Sequence, residues 1–382
     1  MQAVIRLHRA NNYGYNLDLM ILRNIFSDRT ICKAVAAIIL PLLLHSCAAL
    51  KEDYNSECET GVKIKLQVAV NVNVGTGVNT SVDIDSSPAK VEKFYAEVHS
   101  VKFFVFDSTG TYIDVWGMEG KELLQKNDYT MDIPLGKGFY NVVALTGLED
   151  TKYIVPTLTK GVSTIEDLNV KLERDAQNHQ DKYLTPLWTG YTSKAVEVKE
   201  FSLTPIIIYV NVRKLTNTVI ALLQDLSGKE VLSENYDFEI KADNGYLNSR
   251  GSLMPDDTIT YSAYLKSNEQ IESATIARAE MNTLRFDAKK NTRFVVTEKN
   301  ATKADGTPKK ILDINLTKYL LLTRSLYEGK VGFKLTEQQY LDYEDEYAIV
   351  FFLTPTGKVD DPYICVTINI NGWIIRLNEF EL

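Results

Sequence analysis

The chain has 382 residues, with 42 Lys plus Arg against 50 Asp plus Glu and a formal net charge of −8. That balance argues against nucleic acid or an anionic surface as partner, and the length suits about two domains. The first informative stretch is an unbroken apolar run, Ala34 to Leu44. At roughly 1.5 Å rise per residue it cannot cross a hydrocarbon core of about 30 Å. It does fit the apolar region of a secretory signal peptide, which takes about 7–15 residues behind a basic segment. Arg23, Arg29 and Lys33 supply that basic segment.

Leu44-His45-Ser46-Cys47 resembles a bacterial lipobox. In such a site the cysteine sulfur is lipidated and the cysteine becomes the first mature residue. Residues 1–46 are therefore expected to be a lipoprotein-type signal peptide, with Met20 as an alternative start, and residues 47–60 a lipidated tether. Several acyl chains, at roughly 0.8 kcal/mol per buried CH₂, hold a protein on a membrane far more firmly than one chain. Without residues 1–46 the chain keeps 37 basic and 48 acidic residues, a net charge near −11. That composition suits an exposed, soluble ectodomain. If Cys47 carries lipid, Cys58 and Cys365 remain, and two separate thiols are expected rather than a disulfide.

The mature sequence reads as all-β. From Val62 to Val74 valine, isoleucine and leucine alternate with mostly polar residues, the period-two signature of a strand. "SVKFFVFDSTGTYIDVW" predicts a buried strand around Val101, Phe103 and Val105, a turn at Asp107–Gly110, and a return strand from Tyr112 to Trp116. "YTMDIPLGKGFYNVVAL" reads the same way, with Gly136-Lys137-Gly138 as the turn. Helical signal is sparse, chiefly Lys90–Tyr95 and Glu119–Lys126. "IIIYVNVRKLTNTVIALLQDL" (206–226) is a long strand pair or one strand bent at Lys214–Thr216, and Asn244-Gly245 marks a turn between two strands. The end gives three strands, separated by Pro355–Pro362 and by Asn371-Gly372. Short strands at about ten-residue spacing point to β-sandwiches. Two are expected, 61–203 and 204–382, joined near residue 203.

Chemistry is sparse. His99 and His179 of the mature chain have no cysteine at metal spacing nearby, so no zinc site or histidine-centred triad is expected. Gly75-Thr76-Gly77 and Gly136-Lys137-Gly138 lie between strands with no helix behind them, which favours turns over phosphate cradles. "DYEDEY" (Asp342, Glu344, Asp345, Glu346) lacks the glycine and ligand spacing of a calcium loop and reads as a solvated approach to a strand. No catalytic residue, cofactor site or metal site emerges, and the chain reads as a non-enzyme.

Several stretches together resemble the FimB-type fimbrial anchor lipoproteins of Bacteroidales. "SCAALKEDYNSEC" (46–58) is similar to their mature N-terminus. "VKFFVFDSTGTYI" with "MDIPLGKGFYNVVAL" resembles their first domain, and "QQYLDYEDEYAIVFFL" with "INGWIIRLNEFEL" their closing segment. Tyr54 stands where a leucine is usual, and no proline follows Cys58. The resemblance implies two transthyretin-like β-sandwich domains of the fimbrillin superfamily. It also implies a cell-surface lipoprotein at the fimbrial base that binds fimbrillin subunits, fixes the fibre to the outer membrane through lipid on Cys47, and limits fibre length. Lys51, Glu52 and Asp53 resemble the charged signal that sends Bacteroidetes lipoproteins to the outer face of the outer membrane.

Two other readings remain. One is a polymerising or tip fimbrillin (an adhesin) of the same superfamily, whose lipidated segment and first strand are removed by an arginine-specific protease. The first arginine after Cys47 is Arg174, too deep in the chain for that cut, while Lys63, Lys65, Lys90 and Lys93 leave a lysine-directed cut open. The other is a glycan-binding surface lipoprotein, which needs an exposed aromatic platform.

Overall fold

The computed structural model describes residues 61–382, apart from 69–70, 74–80, 84–92, 95, 120–129, 201, 203, 272–273, 332–333, 359–362 and 377–382. The expected signal peptide, the tether and the site residues Cys47, Lys51, Glu52 and Asp53 lie outside the described residues, as does most of the Glu119–Lys126 helical signal.

An eight-stranded sheet comes first. Its order is β5 (Tyr112–Glu119), β4 (Ser100–Asp107), β7 (Gly138–Thr146), β11 (Trp188–Tyr191), β13 (Ile206–Lys214), β1 (Val62–Val68) and β6 (Thr130–Ile133), with β12 (Val196–Val198) also on β7. The alternation read from the sequence sets its faces. Val62, Ile64 and Leu66 of β1 are buried and join Val101, Phe103 and Val105 of β4 in one apolar core. Phe104 and Phe106, the intervening residues of β4, are buried in a second core on the opposite face. A strand covered on both faces reads as a continuous apolar run, which explains "VKFFVF".

Two further sheets carry the second core. The five-stranded one runs β10 (His179–Gln180), β17 (Ile259–Ser262), β15 (Tyr236–Ala242), β20 (Arg293–Thr302) and β21 (Pro308–Asn315). The six-stranded one runs β18 (Leu265–Ile271), β19 (Ala274–Leu284), β14 (Thr216–Asp225), β22 (Glu346–Pro355), β23 (Tyr363–Ile370) and β24 (Trp373–Arg376). Phe294 of β20 stacks on Phe351 of β22 with ring centroids 5.1 Å apart, so these sheets face one another. A small sheet, β16 (Tyr246–Asn248), β9 (Asn169–Leu172) and β8 (Tyr153–Ile154), and a ribbon of β2 (Asn71–Asn73) with β3 (Ser81–Asp83) complete the described strands.

Two turns form where the sequence marks them. At Asp107–Gly110 the Asp107 carboxylate accepts from the backbone N–H of Thr109 (2.8 Å) and of Thr111 (2.9 Å), and Gly110 takes φ +87°. Asn371 and Gly372 have φ +49° and +86°, the paired left-handed conformations of a tight β23–β24 hairpin.

Other pairings correct the sequence reading. β6 pairs with β1 and β7 with β4, so Gly136-Lys137-Gly138 does not close a hairpin. Asn244-Gly245 does not either, because β16 pairs with β9. Asn244 is buried instead, donating to Leu284 O (2.8 Å) and accepting from the Tyr261 hydroxyl (2.7 Å). Residues 206–226 are neither a strand pair nor one bent strand of a single sheet. β13 lies antiparallel to β11 in the first sheet, and after buried Leu215 the chain enters the six-stranded sheet as β14, parallel to β22. The first sheet thus takes a strand from beyond residue 203.

Helices were under-read. Leu316–Leu322, Arg324–Val331 and Glu337–Tyr343 are helical. Asn315 caps the first by accepting from Lys318 N, and Thr336 with Gln339 forms a full capping box on the third. The Thr-x-x-Gln pattern at 336–339 was visible in the sequence.

Candidate functional site: the first strand and an ion-paired seam

The strand that follows the expected tether is locked inside the first sheet. β1 lies between β13, with which it pairs in parallel from Val62↔Ile206 to Val68↔Val212, and β6, antiparallel from Val62↔Ile133 to Lys65↔Thr130. A strand with neighbours on both sides and three side chains in a core leaves only by breaking two ladders and opening that core.

The first arginine beyond Cys47 is equally inaccessible. Arg174 meets Asp256 through two parallel bonds of 2.9 and 2.5 Å, with both side chains nearly buried. Such a fork is among the stronger side-chain pairings. Lys63 and Lys65 sit on β1 itself, and Lys93 is ion-paired.

Of the "DYEDEY" carboxylates, Asp342 and Asp345 are paired and largely shielded rather than solvated, whereas Glu346 is exposed. They form a seam between the first sheet and the C-terminal part. Lys214, at the end of β13, bridges Glu97 (2.8 Å) and Asp345 (2.8 Å), and Lys93 bridges Asp345 (2.9 Å) and Glu346 (3.3 Å). Burial raises the Asp345 pKa, but Lys214 and Lys93 outweigh it and hold the carboxyl below its usual value. Three residues earlier, Asp342 accepts from Arg285 through two donors, one at 2.7 Å, from Arg213 at 3.2 Å and from Gln338 at 2.9 Å. Both Asp342 oxygens accept two bonds each, and Asp345 Oδ2 is held by two lysines. Among the described residues no group of His, Cys, Asp and Glu is arranged to hold a metal ion. The seam's cations come from residues far away in sequence, which is why the acidic run alone looked solvated.

The remaining candidates are structural. His179 Nε2 lies 2.6 Å from Ser262 Oγ, and His99 is exposed. Cys365 is a free, buried thiol on β23 whose pKa burial pushes up to about 12. Alkylation needs the thiolate, so at pH 8 Cys365 should react about 10³-fold more slowly in the folded chain than after unfolding. Peptide mapping after iodoacetamide treatment, with and without denaturant, measures this; fast native labelling would mean that β23 opens readily.

The charged clusters of this β-rich scaffold tie its sheets together. The sequence model of the family "fimbrillin-A associated anchor proteins Mfa1 and Mfa2" matches residues 55–379, and the chain belongs to this family. It is a non-enzymatic fimbrial anchor protein of the Mfa2 type. The minor fimbrium anchoring subunit Mfa2 of Porphyromonas gingivalis is 24% identical over 298 residues, covering 77% of this chain and 83% of that protein. The solved structure of the P. gingivalis fimbrial anchor protein Mfa2 superposes with a TM-score of 0.57 at 20% identity, over 84% of this chain and 99% of that one. A Bacteroides thetaiotaomicron structure, described provisionally as a polysaccharide-binding protein, gives a TM-score of 0.67 at 31% identity over 85% of this chain and all of that one.

Proposed function

We propose that this anchor is a lipoprotein of the outer membrane, attached through acyl chains on Cys47, exposed at the cell surface at the fimbrial base, where it holds fimbrillin subunits and limits fibre length. In this reading its fold is the pair of transthyretin-like β-sandwiches of the fimbrillin superfamily, and Lys51-Glu52-Asp53 directs export to the outer face. One observation carries the proposal beyond family membership. No arginine lies between Cys47 and Glu173, and the first one, Arg174, is buried against Asp256. An arginine-specific protease therefore has no cut with which to free the lipid, which separates this chain from a polymerising fimbrillin.

A subunit held by acyl chains stays with the cell, and a fibre bound to it stays too. Cys47→Ala is expected to move fimbriae into the culture medium, longer than those of the parent strain, while the folded chain persists. The partition of fimbrial protein between cells and supernatant measures this, and wild-type amounts on the mutant cells would sink the proposal. Alanine at Lys51, Glu52 and Asp53 together is expected to leave lipidation intact and to reduce digestion by protease added outside the cell. Undiminished digestion of that triple variant would argue against the export signal.

A further inference from the structure

Three places lie outside the anchoring role: a charged recess around Arg174 and His179, the outer edge of β24, and a cleft beside β7. In the first, Arg174 and Lys152 are already held by Asp256 and Asp150, and nothing in the structure shows what would cover the second. The third is different.

The cleft lies where the sheet leaves a notch. β11 pairs with β7 at Val143–Leu145 and β12 pairs with it at Gly138–Tyr140; Thr192 still bonds Val142, and the chain leaves the ladder beside Asn141. The turns at Ser108–Gly110 and Arg250 close the sides, leaving about 280 Å³. That lies at the lower end of small-ligand sites, about 300 Å³. Ser108, Thr109, Asn141, Tyr191, Ser193 and Arg250 face it.

Its cation is unclaimed. Arg174, Arg213, Arg278, Arg285, Arg293 and Arg324 each face a carboxylate. Arg250 is exposed and makes no ion pair among the described residues; its guanidinium instead lies 5.9 Å from the centre of the Tyr191 ring. The backbone beneath it is fixed: Arg250 N and Ser252 N both donate to Asn248 Oδ1 (3.0 and 2.9 Å), and Arg250 O accepts from Arg213 (2.9 Å). The facing wall is equally set. Asp107, the nearby acidic group, uses Oδ1 to accept from Thr109 N, Thr109 Oγ1 and Thr111 N within its own turn, and the Asn141 amide nitrogen donates to Asp107 O (3.1 Å), leaving the Asn141 oxygen free to accept.

We propose that this cleft binds one acidic sugar residue, its carboxylate on Arg250 and its hydroxyls on Asn141, Ser108 and Ser193. Guanidinium matches a carboxylate with two parallel N–H donors. Besides Val142 and Ile165, the rest of the lining offers hydroxyls, an amide and an aromatic ring, which fits a partner with one negative charge and several hydroxyl groups. A neutral sugar would leave the guanidinium unused, and a phosphate would leave the hydroxyl wall unused.

The test titrates methyl glucuronide, methyl glucoside and inorganic phosphate against the full mature chain in detergent, read by saturation-transfer NMR. Glucuronide should bind in the millimolar range, as one sugar ring allows, and about tenfold or more tighter than glucoside. Arg250→Ala, an exposed substitution checked for an unchanged circular dichroism spectrum, should weaken glucuronide by about tenfold or more without affecting the anchoring role. Phosphate at equal concentration should displace none of it. The proposal fails if glucuronide gives no signal, if glucoside binds as well, if Arg250→Ala binds as before, or if phosphate displaces the sugar. Because none of these readouts uses fimbriae, they are independent of the Cys47 experiment.

Discussion

Replacing Ile64 by alanine is expected to lower the stability of the folded chain by about 2–5 kcal/mol, read as a shift of the urea midpoint at constant slope. Ile64 is fully buried at the centre of β1, between two paired neighbours, so the cavity it leaves cannot be filled by an edge strand relaxing inward. Lys65→Ala, one residue on and turned to the other face, should change the midpoint by less than about 1 kcal/mol. The larger version removes β1 altogether. A chain beginning at Asn71 loses three core side chains worth about 1.5–3 kcal/mol each and exposes the unpaired flanks of β13 and β6. That total is comparable with the net stability of a whole domain, about 5–15 kcal/mol, so the truncated chain should aggregate or lose its cooperative transition. The outcome also bears on function. A polymerising fimbrillin gives up its first strand and persists until a neighbour replaces it. A soluble, monomeric truncated chain with the parent midpoint would mean that β1 is dispensable, and would move this protein toward that class.

What the sequence disclosed, and what it hid, follows from the range of the interactions. Val62–Leu66 announce a strand because alternation is a property of neighbours, and Gly110 and Asn371-Gly372 announce turns because positive φ is a local demand. Partner choice is not local. Nothing in "IIIYVNVRK" says that it lies parallel to β1, and nothing in Leu215 says that the chain changes sheet there. Asn244-Gly245 has the composition of a hairpin turn, yet its side-chain bonds run to Leu284 and Tyr261. The missed helices are a different case, since the Asn315 cap and the Thr336–Gln339 box were present but overshadowed by the β pattern around them. The lipidation and export residues rest on sequence alone.

Asp342→Ala is expected to be the most damaging surface-distant substitution outside the apolar cores, costing about 3–5 kcal/mol. The carboxylate holds Arg285, Arg213 and Gln338 at once, and those residues come from three places: the end of β19, β13 of the first sheet, and the helix Glu337–Tyr343. Arg285 and Asp342 are only 11% and 12% exposed, so removing the acid strands the Arg285 guanidinium where water reaches it poorly, beside the more open Arg213 at 28%. Burial already lowers the Arg213 pKa, with neighbouring Arg285 adding to it, and Asp342 is the group that opposes both. The cost is thus mainly that of uncompensated charge, which a second substitution exposes. Asp342→Leu combined with Arg285→Met should recover much of the loss, because two apolar groups of similar size need no counter-ion. Asp313→Ala, which breaks the more exposed pair with Arg293, provides the comparison and should cost about 1 kcal/mol or less. Equal effects of Asp342→Ala and Asp313→Ala on the urea midpoint would show that the seam is solvated in solution. If the double variant is no more stable than the single one, the damage comes from lost hydrogen bonds to Arg213 and Gln338 rather than from stranded charge. A large loss with recovery in the double variant would establish the seam as the electrostatic join between the first sheet and the C-terminal sheets.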